Sequence, residues 1–253
     1  MLCACWAAVD LSLRSWDMVP DEPVAVVTGA NGGIGSIVCN VLSEHFAVTA
    51  ISRSGGPPRD HHEVDLLVHC AGAFDQGSIG ETPGSAWQEI FEANLFDVVQ
   101  TTRRFLPALR KAQGRVIILN STAVSGSPAN KAAYTASKAA LQTFAQALHQ
   151  EELENGVRLT SLYLGRVATP MQEKVCALEG RPYDASEFLL PETVARLVLG
   201  IAFSPPDAHI TEMEMKPAWR PSRVPLSARQ LFDKQPENPR SVDETPLVTA
   251  YQG

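Results

Sequence analysis

The sequence predicts an α/β protein, a doubly wound parallel sheet in a single domain, and three observations lead there. From residue 24 onward, short apolar runs of strand character alternate with amphipathic helical patterns, the order a parallel sheet with crossover helices requires. The first such run passes directly into a glycine-rich turn and then a helix, in "VAVVTGANGGIG" (24–35). The chain of 253 residues, 45% hydrophobic and 19% charged, is ordinary for a globular domain of this size.

Each element has a local reason. "VAVV" (24–27) is a buried-strand run, and "IGSIVCNVLSEHF" (34–46) carries Ile37, Val38, Val41 and Leu42 on one helical side. "AVTAIS" (47–52) is a second strand, and "VDLLVHCAG" (64–72) is a third that ends in a glycine turn. The stretch 85–114 reads as one long amphipathic helix, with Ser85 and Gln88 as a capping box and Gly114 as its stop. A strand over "RVIILNS" (115–121), an alanine-rich helix over 131–156 and a strand over "VRLTSLYLG" (157–165) follow. A helix opened by Pro191 and a short strand in "HITEMEMK" (209–216) complete the domain.

Residues 1–22 read as an N-terminal extension, 23–216 as the folded domain and 217–253 as a tail. The tail is rich in proline and polar residues, which favours disorder over an arm folded onto a neighbouring subunit. The apolar start "MLCACWAAVDLSL" has no basic leading region and contains Asp10, unlike a secretory signal. No run approaches the ~18–20 apolar residues of a membrane span. Five cysteines without a C-x-x-C pair suit free thiols in a reducing cytoplasm, and no metal site is expected. A formal net charge of −7 argues against nucleic acid or an anionic membrane as the partner.

Three stretches carry chemistry. Glycines after a strand allow a tight turn and bring backbone N–H groups to a pyrophosphate at a helix N-terminus; such turns also serve merely to connect strand to helix. "YTASK" places Tyr134 and Lys138 at i and i+4, on one helix face. An ammonium beside a phenol lowers its pKa, although such a pair alone is usually a surface feature. Ser121 stands at the end of a parallel strand, where doubly wound folds place ligand contacts, and its hydroxyl could meet a carbonyl oxygen as charge develops.

Together these residues resemble the short-chain dehydrogenase/reductase family over about residues 24–216. The family's TGxxxGxG turn falls on Thr28, Gly29, Gly33 and Gly35, its YxxxK on Tyr134 and Lys138, and its serine, 13 residues before the tyrosine, on Ser121. Its helix asparagine falls on Asn94, and its NNAG turn is represented by "HCAG", with Ala71 and Gly72 kept. The resemblance implies a Rossmann-like oxidoreductase that interconverts a carbonyl and an alcohol. Tyr134 would be general acid or base, Lys138 would bind the nicotinamide ribose and lower the tyrosine pKa, Ser121 would orient the carbonyl and Asn94 would hold a relay water. The implied cofactor contacts are Thr28, Gly29, Asn31, Gly33, Ile34 and Gly35 in the turn, and Ser52 and Arg53 after the second strand. Further contacts are Ala71, Gly72, Tyr134 and Lys138, with Gly165, Val167 and Thr169 beyond the strand at 157–165. Arg53 in place of an acidic residue suits a 2′-phosphate, so NADP(H) is expected over NAD(H). Gly32 stands where NADP-preferring relatives often carry a basic residue. Relatives commonly form dimers or tetramers through their two long helices, and a homo-oligomer is expected here.

The chain departs from the family in places. Leu164-Gly165 replaces the usual Pro-Gly, and His69 and Cys70 replace two asparagines. The larger departure is the connection "RSGGPPRDHHEVDLLVHCAG" (53–72), where relatives place an edge strand and two helices. A crossover unit needs about 30 residues. Loss of an outermost strand would leave the central topology intact, expose the edge of the second strand and open the adenine side. Asp65, at the join, reads as a strand-start residue rather than the aspartate that contacts adenine. The segment "PMQEKVCALEGRPYDASEFLL" (170–190), with Met171, Val175, Leu178, Tyr183, Phe188 and Leu189, reads as a mobile lid over an apolar pocket or as ordinary helix packing. A lid points to a small or medium-sized apolar or aromatic substrate. The alternatives are a catalytically weak or inactive cofactor-binding module, or a truncated form that works only when a partner covers the open sheet.

Overall fold

The structure is a computed structural model and describes residues 23–55, 58–126 and 128–218. The extension expected over 1–22 lies outside the described residues, as does the tail from residue 219. In chain order the elements are β1 (Val24–Thr28), α1 (Gly35–Leu42), β2 (Ala47–Ile51), β3 (Leu66–His69), α2 (Gly84–Phe91), α3 (Asp97–Ala112), β4 (Arg115–Ser121), α4 (Ala132–Glu152), β5 (Arg158–Leu164), α5 (Pro170–Leu178), α6 (Pro191–Ala202) and β6 (Glu212–Met215). Every strand pair is parallel, and the sheet order is β2-β1-β3-β4-β5-β6. This is the expected doubly wound, Rossmann-like architecture.

Strand alternation divides the core between the two faces. Ala25 and Val27 of β1, with Ile117 and Leu119 of β4, pack on the side of α1 and α6. Val26, Val116 and Ile118 face the other way, towards α3 and α4. Because successive side chains of a strand point to opposite faces, a parallel sheet covered on both sides needs these near-continuous apolar runs.

The helix expected over 85–114 is interrupted. α2 ends at Phe91, a π-helical turn spans Glu92–Phe96, and α3 begins at Asp97. The expected capping box is not formed: extended Pro83 (φ −67°, ψ 153°) precedes the helix, so Ser85 already lies inside the first turn. The stop is displaced by one residue, since Gln113 takes the left-handed conformation (φ 49°) and Gly114 follows it. Gly114 is needed for another reason. A Cβ there would lie 2.4 Å from the Val64 carbonyl oxygen, where the chain runs into β3.

The short connection between β2 and β3 covers part of what its missing helices would have covered. His61 Nε2 shares a 2.8 Å hydrogen bond with Thr49 of β2, and its ring lies 6.5 Å from that of Phe105 on α3. Arg104 donates to the Pro58 carbonyl and to Asp60, both at 2.8 Å, and Lys111 meets His62. The connection therefore lies along α3, on one face only. No residue of β2 is fully buried, and Ala50 is exposed, so the strand forms the open edge that the sequence implied. Asp65 is a strand-start residue: its carboxylate accepts the Val24 N–H at 2.8 Å, joining the amino ends of β1 and β3. That position is at the opposite end of the sheet from the glycine turn, so it cannot serve the adenine side.

Phe105 is 2% exposed and stands between the sheet and this connection. Phe105→Ala should lower stability by about 3–5 kcal/mol, read from the midpoint of urea unfolding.

Candidate active site

The chain leaves β1 towards β2 on one side and returns to β3 on the other, so the carboxyl ends of β1 and β3 flank a topological switch point. The turns after these strands touch. Gly29 adopts φ +65°, and a Cβ on it would lie 2.6 Å from the Ala71 nitrogen. A Cβ on Gly35 would lie 2.2 Å from the Gly29 oxygen, and one on Gly33 would lie 2.9 Å from Thr169 Cβ. These glycines are thus required by the protein's own packing. The turn also leaves donors free: among the described residues, the N–H groups of Asn31, Gly33, Ile34 and Gly35 find no backbone acceptor. Four such donors at the start of α1 suit an anion of the pyrophosphate kind.

The π-helical turn aims Asn94 inward, where it is 1% exposed. Its Oδ1 accepts the Ala73 N–H at 2.7 Å, and its Nδ2 donates to the Ala73 oxygen at 3.0 Å and to Ser137 Oγ at 2.9 Å. Asn94 therefore clamps the segment after Gly72 to α4. A π-turn of this sort is a frequent mark of a functional position, and the helical periodicity of the sequence hides it.

Lys138 is 5% exposed, and among the described residues its Nζ donates only to the Leu119 carbonyl, at 3.1 Å. Burial lowers its pKa to about 8. Gly72 leaves room beside it, for a Cβ there would stand 3.2 Å from Asn94 Oδ1 and 3.8 Å from Lys138 Nζ. Ser121 Oγ accepts the Ala123 N–H at 3.1 Å, leaving its own hydrogen to donate. Burial raises the Tyr134 pKa, with a hydrogen bond to Ser121 acting in the opposite direction. The resemblance implied a phenol lowered by Lys138; in the structure burial is the larger influence on Tyr134 and Ser121 the opposing one.

A cavity of about 470 Å³ joins Ser121, Tyr134 and Lys138 to Ile34, Ala71 and Gly72, and to Gly165, Val167 and Thr169 beyond β5. Asn94 lies behind its wall. Thr28 supports the wall through a 3.4 Å hydrogen bond from the Ala71 N–H. Ser52 and Arg53 do not line the cavity; Arg53 is exposed and, among the described residues, makes no hydrogen bond or ion pair. His69 is neutral, its pKa pushed down to about 3 by burial and the Lys138 charge, and its Nε2 shares a 3.0 Å hydrogen bond with Thr102. Burial pushes the Cys70 thiol well above its ordinary range.

The expected lid is a helix, α5, capped by Thr169 Oγ1, which accepts the Gln172 N–H at 3.2 Å. Of its six apolar residues, only Met171 and Val175 line the cavity. Leu178 is 57% exposed, while Phe188 and Leu189 pack in the core. The sequence reading missed Phe74, whose ring lies 5.0 Å from that of Tyr134, and the cations Lys131 and Arg166. Lys131 precedes Tyr134 by one helical turn, a spacing that could have revealed it.

The sequence profile of the short chain dehydrogenase family matches residues 58–179. An uncharacterized oxidoreductase of Staphylococcus epidermidis is 27% identical over 231 residues, covering 78% of this chain and 97% of that protein. The alignment is longer than the stretch of this chain it covers, so the relative carries residues that this chain lacks. Cyclopentanol dehydrogenase of Comamonas testosteroni is 27% identical over 214 residues, covering 70% of this chain and 84% of the relative. Among solved structures, an alcohol dehydrogenase from the archaeon Thermococcus sibiricus complexed with 5-hydroxy-NADP superposes with a TM-score of 0.66. It is 20% identical, with 80% of this chain and 99% of that chain covered. The family match and the oxidoreductase relatives support a member of the short-chain dehydrogenase/reductase family, an oxidoreductase of that type, and the superposed structure shares its fold. Among the described residues, no helix is long and apolar enough to cross a membrane.

Proposed function

We propose that the protein interconverts a carbonyl and an alcohol on a small or medium-sized, mainly apolar or aromatic substrate, using NADP(H) in preference to NAD(H). The observation that carries the reading is the convergence of Ser121, Tyr134 and Lys138 on one cavity, with Asn94 clamped behind it. When bound, the cofactor supplies the hydride that a ketone carbon accepts. Tyr134 gives its phenolic proton to the oxygen in reduction and takes it back in oxidation. Ser121, whose oxygen is engaged by Ala123, donates its hydrogen to the carbonyl oxygen and orients it. Lys138 keeps two N–H groups for ribose hydroxyls, and its charge favours the phenolate left after proton transfer. Both amide hydrogens of Asn94 are committed to Ala73 and Ser137, so we assign it to holding the site in place rather than to carrying a water on its amide nitrogen.

The preference for NADP(H) is supported by Arg53 at the end of β2, with its guanidinium exposed and without a partner among the described residues. We assign the protein to the cytoplasm on its free thiols Cys39, Cys70 and Cys176, and to a homo-oligomer, dimer or tetramer. The stacked rings of Trp87 and Phe91 and the half-exposed Phe96 offer the long-helix side an apolar contact surface. The open β2 edge favours a second reading, in which the fold needs a partner before the cofactor binds.

Three outcomes test this. Tyr134→Phe should lower ketone reduction by about 10²–10⁴-fold, and steady-state activity above about one-tenth of the wild type would remove Tyr134 from the chemistry. Wild-type reduction should fall as pH rises through about 8, because Lys138 is charged below that value and neutral above it. In fluorescence titrations NADPH should bind more tightly than NADH, and Arg53→Ala should narrow the gap. Binding of neither would support the partner-dependent reading.

A further inference from the structure

The charges around the cavity do not match the rest of the molecule. The chain has a formal net charge of −7, yet the charged side chains lining the cavity, among the described residues, are Lys131, Lys138 and Arg166. No aspartate or glutamate is among them. Lys138 lies one helical turn beyond Tyr134 on α4, with its Nζ on the Leu119 carbonyl. Lys131 and Arg166 stand together, and both reach Glu179 at the end of α5. Lys131 Nζ donates to Glu179 at 2.9 Å, and Arg166 Nη1 donates at 2.7 Å with Nη2 beside it. Arg181 donates to the same carboxylate at 3.0 Å and to Glu187 at 2.9 Å. The cluster thus holds three cations against two carboxylates. Glu179, pushed down to about 2 first by the Arg166 guanidinium, stays ionised at any working pH.

Donors remain for a ligand. Arg166 engages Glu179 through its two terminal nitrogens, which leaves Nε–H, and Lys131 uses one of three N–H groups on Glu179. Phe74 fixes the separation from the chemistry, because its ring centroid lies 5.0 Å from that of Tyr134 and 5.6 Å from Lys131 Nζ. Phe74, Met171 and Val175 line the same cavity as Ser121, Tyr134 and the paired cations, with the Phe74 ring in contact range of both Tyr134 and Lys131.

We propose that Lys131 and Arg166 form an anion subsite, and that the substrate is an oxo or hydroxy acid whose carboxylate lies a few carbon atoms from the reacting carbon. This rests on the carbonyl–alcohol reading above and narrows its substrate class. Glu179 acts as a positioning residue that holds both cations together. A carboxylate with a short apolar spacer reaches from Tyr134 past Phe74 to the cations, whereas a neutral ketone of the same shape leaves the cations without a ligand.

The test separates the subsite from the reaction. Calorimetric titration of the full chain, with and without NADP+, compares 4-phenylbutyrate with 4-phenylbutyramide, which have nearly the same shape and differ in charge. The acid should bind at least about tenfold more tightly, a margin that charge-assisted hydrogen bonds readily supply. In Arg166→Ala that preference should shrink to about threefold or less, with Arg166→Lys and Lys131→Gln intermediate. Equal binding of acid and amide to the wild type would overturn the proposal. So would a preference that survives Arg166→Ala combined with Lys131→Gln. A loss of NADPH affinity in Arg166→Ala as large as the loss of acid affinity would assign the cations to the cofactor's phosphates and overturn it likewise. Reduction of 4-oxo-4-phenylbutyrate against its ethyl ester then addresses the chemistry. No turnover with the acid preference intact would defeat the carbonyl–alcohol reading while leaving the anion subsite standing.

Discussion

The site depends on one close approach, that of Gly29 to Ala71 across the switch point of the sheet. With Cβ space of only 2.6 Å and a left-handed backbone, residue 29 has to be glycine for the turns after β1 and β3 to meet. That contact fixes where Gly72 runs. Gly72 in turn leaves the space in which Asn94 and Lys138 lie side by side beneath the cavity. The N-terminal glycine turn and the later polar residues, far apart in the chain, are one assembly because these two backbone segments touch.

The same arrangement explains how the chain can lack a crossover and keep its centre. β1 has neighbours on both sides, and the residues that converge on the cavity follow β1, β3, β4 and β5. What is missing lies beyond β2, at the edge. Fourteen residues, 52–65, bridge β2 to β3, and His61, Arg104 and Lys111 tie the bridge to β2 and α3. The consequence falls on the outer strand, none of whose residues is fully buried, and on the side of the site where Arg53 stands exposed.

The cations that line the cavity face two different electrostatic problems. Lys138 is buried and keeps one carbonyl acceptor, so desolvation works against its charge and lowers its pKa to about 8. Lys131 and Arg166 are paired with Glu179, so their charges are compensated and their positions fixed. An ion pair of this kind contributes little to stability where solvent reaches it, and its value lies in fixing positions.

Much was legible in the letters. The alternation of apolar runs gave the parallel sheet, and the glycine pattern, Ser121 and the Tyr134–Lys138 spacing pointed to residues that the fold brings to one end of it, because strand ends and helix faces are local properties. Asp65 could be read as a strand start for the same reason. The interruption at Glu92–Phe96 was not legible, since a π-turn leaves helical composition unchanged and shows itself only in the hydrogen bonds of Asn94. Nor was the capping at Pro83, where backbone conformation overrode the side chains of Ser85 and Gln88. Lys131, Arg166 and Glu179 are separated by 48 residues at most and carry no shared motif. Sequence alone determined the order of strands and helices and the residue types at their ends. Which of those ends touch, which lysine is buried and which is held by a glutamate were decided only by tertiary structure, because long-range packing sets desolvation and charge pairing.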